Sequence, residues 1–171
     1  MSDATTATPA FKPKKSVALS GTPAGNTALC TVGRSGNDLH YRGYDIKDLA
    51  TQCEFEEVAY LLVHGTLPTV AELAAYKARL KRLRGLPEAV KKTLELVPGS
   101  AHPMDALRTG VSVLGCMEPE PAGHEAEDAR AVADALLAKL CGMLLYWHQF
   151  ARKGKRIEVE TEDDSIAAQF L

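Results

Sequence analysis

Cysteine is scarce in this sequence, and its spacing suits neither a disulfide framework nor a zinc site. The 171 residues contain four cysteines, with no C-x-x-C pair among them. Disulfide-rich domains and structural zinc sites both need cysteines at close, regular spacing. The pattern favours buried, free structural thiols in a reducing compartment. They are Cys30, Cys53, Cys116 and Cys141.

The chain also lacks a basic surplus and a long apolar run. Its 20 Lys and Arg against 22 Asp and Glu give a formal net charge of −2, whereas nucleic-acid-binding domains usually carry a basic excess. No stretch approaches the roughly 20 apolar residues that span a bilayer, and residues 1–15 contain no signal-peptide core. We therefore expect no nucleic-acid partner, no membrane association and a cytoplasmic location.

Recognisable catalytic motifs are missing as well. Residues 21–27 contain glycines but not the lysine of a phosphate-binding loop. The run that begins at His124 lacks the second histidine of a zinc-binding helix, and no serine stands in the context of a nucleophile elbow. By themselves, the residues predict no catalytic group, no metal ion and no cofactor.

The only strand signals lie near the N-terminus. Residues 27–32 and 39–42 are β-like, and residues 33–38 between them supply turn chemistry, so one small hairpin is predicted. Residues 1–15, rich in Thr, Ala, Pro and Lys, are expected to form a flexible arm.

From Tyr44 onward the apolar residues recur at helical spacing. Thr69 and Glu72 carry the signature of a capping box, and Gly65 and Pro87 mark a helix end and a helix start. The predicted helices cover residues 45–52, 55–64, 69–84, 87–97, 104–114 and 126–152. On the last helix, the expected apolar face consists of Val132, Leu136, Leu137, Leu140, Met143, Leu144, Trp147 and Phe150. The fold class is all-α with a small N-terminal β-hairpin.

Two polar features allow a functional and a structural interpretation. The stretch from Lys77 to Lys92 contains seven basic residues and one acidic residue, Glu88. This basic run fits either a solvated helix face or a surface that attracts an anionic substrate. His102 begins a helix, where it either holds the turn or lines a ligand pocket. For His102 the structural role is the default.

The last residues predict the start of another helix. Asp164 and Ser165 can cap it, and its first apolar positions are Ile166, Ala167, Phe170 and Leu171. Because apolar side chains at the end of a chain lack cover, we expect a truncated chain in which Leu144, Trp147 and Phe170 remain uncovered. The alternative is a short terminal helix docked on the domain.

Four motifs, in order, resemble the citrate synthase family. The resemblance covers residues 13–171, and residues 13–33 are most similar to the bacterial 2-methylcitrate synthases within that family. The motifs are Leu39-His-Tyr-Arg-Gly-Tyr-Asp-Ile46, Phe55-Glu-Glu-Val-Ala-Tyr-Leu-Leu-Val-His-Gly-Thr-Leu-Pro-Thr69, Leu83-Arg-Gly-Leu-Pro87 and His102-Pro-Met-Asp-Ala-Leu-Arg108.

The resemblance implies an acyltransferase that condenses an acyl-CoA with oxaloacetate. A 2-methylcitrate synthase joins propionyl-CoA to oxaloacetate, so the CoA thioester is a substrate and no cofactor is needed. The family's catalytic aspartate and two histidines lie beyond the position of Leu171, so we expect no catalytic residue in this chain and no activity. Residues 16–171 would be the N-terminal part of the large helical domain of a homodimer.

One residue of this chain matches a substrate-pocket arginine of the family. It is Arg84, in the motif Leu83-Arg-Gly-Leu-Pro87, and its structural alternative is a helix C-cap. Two rival functions also stay open. One is a citrate synthase fragment that acts on acetyl-CoA, and the other is a non-catalytic helical module for dimerisation or scaffolding.

Overall fold

The computed structural model describes residues 25–33, 36, 38–118 and 126–171. Three short strands precede seven helices in that part of the chain, which confirms the predicted all-α class. The predicted arm at 1–15 and the run at His124 lie outside the described residues. The elements are β1 Cys30–Val32, β2 Leu39–Tyr41, β3 Tyr44–Asp45, α1 Ile46–Gln52, α2 Phe55–His64, α3 Val70–Arg82, α4 Glu88–Leu96, α5 Pro103–Met117, α6 Ala126–Lys153 and α7 Ile166–Phe170.

The predicted hairpin forms, and a third strand extends it. Strands β1, β2 and β3 make an antiparallel sheet in that order, with Cys30 opposite Tyr41 and Tyr41 opposite Tyr44. The two residues between β2 and β3, Arg42 and Gly43, have φ angles of 51° and 93°, as a two-residue type I′ turn requires. Arginine is not a usual residue for that turn, so β3 was not predicted from the sequence. The guanidinium of Arg42 donates a hydrogen bond to the carbonyl of Leu62, at 3.0 Å.

Local side-chain chemistry sets the helix boundaries. The capping box at the start of α3 is confirmed: the Glu72 amide donates to the Thr69 hydroxyl, and the Thr69 amide donates to the Glu72 carboxylate. Helix α2 ends at Gly65, whose φ of 101° is the left-handed conformation that suits glycine. His102 has the predicted structural role, because its Nδ1 accepts the Met104 amide proton at the start of α5.

Helix α6 lies between two apolar clusters. One joins α4, α5 and α6 around Leu94, Met143 and Trp147. The other joins α2, α3 and α6 around Leu80 and Ala138. Burying a side chain of the size of leucine or methionine contributes about 1.5–3 kcal/mol, so these two clusters hold the bundle together.

The predicted apolar face of α6 is partly wrong. Only Met143 and Trp147 of the eight positions are fully buried, and the other six are half-buried. Leu136 and Leu144 pack against the cluster with α4 and α5, and Leu137 packs against the cluster with α2 and α3, so the predicted face is divided between two sets of neighbours. The fully buried remainder of the helix is Asp134, Ala138, Lys139, Gly142 and Tyr146.

Two further burial expectations need correction. Trp147 is covered, since it is 4% exposed and its indole N–H donates to the Val97 carbonyl, while Leu144 is half-buried and Phe170 stays 52% exposed. All four cysteines are free, as predicted, but Cys116 is exposed and the others are half-buried. Cys116 follows the buried Leu114 by two residues, which turns it about 200° around α5, away from the core.

Candidate functional site

Arg84 is a buried cation in the turn between α3 and α4. Arg84 is 1% exposed, and the nearby Leu86 is also buried. One guanidinium nitrogen, Nη1, donates to the carbonyl of Thr161 at 3.2 Å, to the hydroxyl of Thr161 at 3.3 Å and to the carbonyl of Asp163 at 2.7 Å. Arg84 therefore ties the α3–α4 turn to a segment almost 80 residues further along the chain.

The structural alternative for Arg84, a C-cap of α3, is wrong. Leu83 occupies the cap position, and its amide donates to carbonyls of the last turn. The Arg84 side chain instead turns inward to residues 161–163. The structure does not test whether Arg84 contacts a substrate, so that role stays a prediction.

The charge of Arg84 has unusual surroundings. No carboxylate lies within 4 Å of its guanidinium among the described residues, and its Nε has no hydrogen-bond partner there. A buried charge without a counter-ion is costly. The neighbouring thiol of Cys141 has a raised pKa because it is buried, and the charge of Arg84 opposes that rise.

Most of the basic run on α3 already has acidic partners. Lys77 pairs with Glu54, and Lys81 pairs with Glu162 at 2.9 Å and with Asp164 at 3.6 Å. The bond to Glu162 raises the pKa of Lys81. These pairs support the solvated-face interpretation of the run over the anion-attracting surface.

A second polar cluster surrounds Asp134, which is fully buried on α6. The Tyr76 hydroxyl donates to its Oδ1 at 2.9 Å, and His64 Nε2 lies 3.6 Å from the same oxygen. Arg79 Nε is 3.1 Å from Oδ2. Oδ2 nevertheless accepts no hydrogen bond, so this contact is an ion pair in which the N–H does not point at the oxygen. Burial, and then the bond to Asp134, raise the pKa of Tyr76.

Aromatic rings enclose the histidine of this cluster. Tyr60 stacks on His64 with ring centroids 4.4 Å apart, and Tyr76 meets His64 edge-on at 5.4 Å. The cluster can fix the relative positions of α2, α3 and α6, because each contributes a member. Sequence reasoning missed it because its members are up to 70 residues apart and Asp134 lies within an apolar stripe.

Two shallow grooves flank α7. One, of about 470 Å³, lies against the start of α2 and includes Glu56, Lys77 and Ser165. The other, of about 440 Å³, is almost wholly apolar and includes Cys141 and Phe170. In the part of the chain that the structure describes, no group of three His, Cys, Asp or Glu residues could hold a metal ion, and no helix is long and apolar enough to cross a membrane.

Residues 18–171 match the family model described as "Citrate synthase, C-terminal domain". The 2-methylcitrate synthase of Shewanella oneidensis is 54% identical over 153 residues, which are 90% of this chain and 40% of that protein. A citrate synthase of Mycolicibacterium smegmatis is 42% identical over 68% of this chain and 31% of its own length. The chain therefore spans less than half of these curated relatives.

Solved structures show the same fold. The crystal structure of citrate synthase from Thermotoga maritima has a TM-score of 0.67 at 30% identity and covers 82% of this chain and 36% of that one. A citrate synthase of Thermoplasma acidophilum reaches a TM-score of 0.76 over 88% of this chain and 39% of its own, and its 22% identity supports the fold alone. Because the family model spans nearly the whole sequence, this chain belongs to the citrate synthase family.

Proposed function

We propose that this chain is part of a 2-methylcitrate synthase, which condenses propionyl-CoA with oxaloacetate and releases CoA and 2-methylcitrate. The observation that carries the proposal is the 54% identity to the Shewanella oneidensis enzyme over 90% of this chain. The substrates would be oxaloacetate and the CoA thioester, with no cofactor. The complete enzyme would be a cytoplasmic homodimer.

Within that enzyme, this chain would supply helical scaffold. Neither polar cluster combines an accessible base with an oxyanion-binding group, because Asp134 and Arg84 are both buried and bonded to protein atoms. In line with the family resemblance, the proposal places the catalytic groups outside the part of the chain that the structure describes. Direct contact between Arg84 and a substrate carboxylate is retained as a proposal, which the family motif supports.

A second candidate is a citrate synthase that acts on acetyl-CoA. The 42% identity to the Mycolicibacterium smegmatis citrate synthase supports it. The two acyl groups differ by one methylene, which a pocket discriminates by about 1–3 kcal/mol, or roughly 10–200-fold. A non-catalytic dimerisation or scaffold module is the third candidate.

A chimera separates these functions. Residues 18–171 replace the matching segment of the Shewanella oneidensis enzyme, and CoA thiol release is measured with oxaloacetate and either propionyl-CoA or acetyl-CoA. We expect release from both, with a higher kcat/KM for propionyl-CoA. The control chimera carries the matching segment of the Mycolicibacterium smegmatis enzyme.

Two other outcomes of the chimera assay would favour the other candidates. A folded chimera that prefers acetyl-CoA would favour the citrate synthase. A folded chimera inactive with both thioesters would favour the non-catalytic module. The 171-residue chain assayed alone is the baseline, and we expect no thiol release from it, since general acid–base and electrostatic catalysis each contribute about 10²-fold or more.

A further inference from the structure

We propose that residues 156–165, here called the clasp segment, keep helix α7 in its position between the two grooves that flank it, and that salt weakens the contacts that do so. Both grooves include Phe55 and Ala167, and α7 separates them. Release of α7 would join them into one groove between α2 and α6. The clasp depends only on contacts within this chain.

The clasp segment has no regular secondary structure, so side chains must hold it in place. Its buried anchor is Arg84, whose Nη1 atom bonds the main chain at Thr161 and Asp163. Hydrogen bonds from a charged donor are roughly twice as strong as neutral ones. Without Arg84, the carbonyl groups of Thr161 and Asp163 would lose this donor, and the segment would have to move toward solvent for them to bond water instead.

The surface anchor is Lys81, one turn before Arg84. Its ammonium group donates to the Glu162 carbonyl and pairs with the carboxylates of Glu162 and Asp164. Both carboxylates are at least 90% exposed, so salt screens these pairs well. Residues 158–164 contain five carboxylates in all. The acidic run of the clasp and the basic end of α3 thus form one electrostatic unit.

Small residues face the clasp on two sides, and the closest approach to a buried side chain is at Gly142. A Cβ at Gly142 on α6 would lie 3.2 Å from the Cβ of Val159, and a Cβ at Gly85 would overlap the carboxylate of Glu160. Val159 is 3% exposed and belongs to the apolar cluster of α4, α5 and α6. The clasp therefore fits a channel between the α3–α4 turn and α6.

The clasp fixes α7 directly. The Gln169 side chain on α7 donates to the Val159 carbonyl at 2.8 Å, and Ser165 caps the helix by accepting the Ala168 amide proton. The Ile166 amide donates to the buried carboxylate of Glu56 on α2, at 2.8 Å. A five-residue helix is unstable alone, so its position follows from these contacts.

Hydrogen exchange by mass spectrometry on the full 171-residue chain tests the clasp. For Arg84→Met we expect exchange in peptides from residues 157–171 to rise about 10–100-fold, with peptides from α4 and α5 unchanged. Arg84→Lys should restore part of the protection, because an ammonium can still bond one carbonyl. Arg82→Met is the matched control, since Arg82 is exposed on the same turn, and it should change nothing. An equal rise throughout the chain, or no rise at residues 157–171, would overturn the proposal.

A surface variant keeps the test independent of core folding. Lys81→Gln should speed exchange at residues 157–171 by about two- to fivefold in low salt, the size of one exposed ion pair. At 1 M NaCl, where the screening length is about 3 Å, the unmodified chain should approach the exchange rate of Lys81→Gln. If hydrogen exchange at residues 157–171 changes neither with salt nor with Lys81→Gln, the proposed salt dependence is wrong.

Discussion

Helix α6 has two neighbouring regions that are held by different forces. On one side, α4 and α5 pack against it through apolar side chains such as Leu94, Met143 and Trp147. On the other side, α2 and α3 pack against it through the cluster around Leu80 and Ala138, and the region that they form with α7 also buries polar groups, namely Asp134, Glu56 and Arg84. The apolar region depends mainly on complementary shapes, whereas the buried polar groups of the other region each need a hydrogen-bonding or charged partner.

This contrast predicts different responses to mutation. Apolar contacts are non-directional, so a lost side chain costs free energy in proportion to the cavity that it leaves. Polar contacts depend on direction and partner, so the cost depends on whether the remaining partner can reach water. Substitutions in the two regions should therefore differ in their cost to stability.

Trp147→Ala should be the most damaging change. The indole is 4% exposed and packs in the apolar region, so we expect the free energy of unfolding to fall by about 3–5 kcal/mol. Urea unfolding followed by circular dichroism measures it. His148→Ala, on the exposed next position of α6, is the control and should change stability little.

Asp134→Ala should cost less, about 2–3 kcal/mol, although it removes a fully buried charge. Tyr76 loses its acceptor, but the Arg79 side chain is 48% exposed and can turn to water. The same urea unfolding experiment applies, with Asp134→Asn as the variant that keeps an acceptor for Tyr76. A loss as large as that of Trp147→Ala would show that the two regions do not differ as described.

Tyr146→Phe should cost about 1–3 kcal/mol, because the Tyr146 hydroxyl donates to the Glu95 carboxylate at 2.6 Å. Burial, and then the bond to Glu95, raise the pKa of Tyr146 to about 12 from its ordinary value of 10.0. The folded chain therefore holds this proton more tightly than the unfolded chain does. The contribution is complete below pH 10 and is lost as the pH rises through about 12.

The pH dependence of unfolding provides the measurement for Tyr146. Between pH 9 and 12, the unmodified chain should lose stability more steeply than Tyr146→Phe. Parallel curves for the two proteins would contradict the assigned role of the Tyr146 hydroxyl.

Arg108→Ala should have the smallest effect. Arg108 pairs with Asp105 three residues earlier on α5, and both side chains are more than half exposed. Such pairs contribute about 0.2–0.5 kcal/mol and less in salt. Thermal unfolding at low and high salt checks it, and a shift of several degrees would show that α5 depends on its surface charges.

Local signals in the sequence predicted the helices well. Gly65, Thr69 and His102 each determine a helix end through their own backbone or a neighbour two or three residues away, so their roles need no tertiary contact. The strand β3 was missed because its turn uses Arg42 in a left-handed conformation, and the bond to the Leu62 carbonyl that accompanies this conformation comes from α2.

The candidate sites were less predictable. The family motif pointed to Arg84, but nothing local indicates that it bonds Thr161 and Asp163. The cluster around Asp134 had no signal at all, since a single aspartate in a helix is usually a surface residue. Burial of a charged group can be inferred only when its partners on other elements are known.

The sequence by itself determined the all-α class, most helix boundaries and the free state of the four cysteines, because capping, apolar periodicity and residue spacing act over a few residues. Only the tertiary structure decided which face of α6 is buried, which groups the buried side chains of Arg84 and Asp134 contact, and how residues 156–165 hold α7. Those outcomes depend on elements that are distant in sequence, and short-range patterns carry no information about which of them meet.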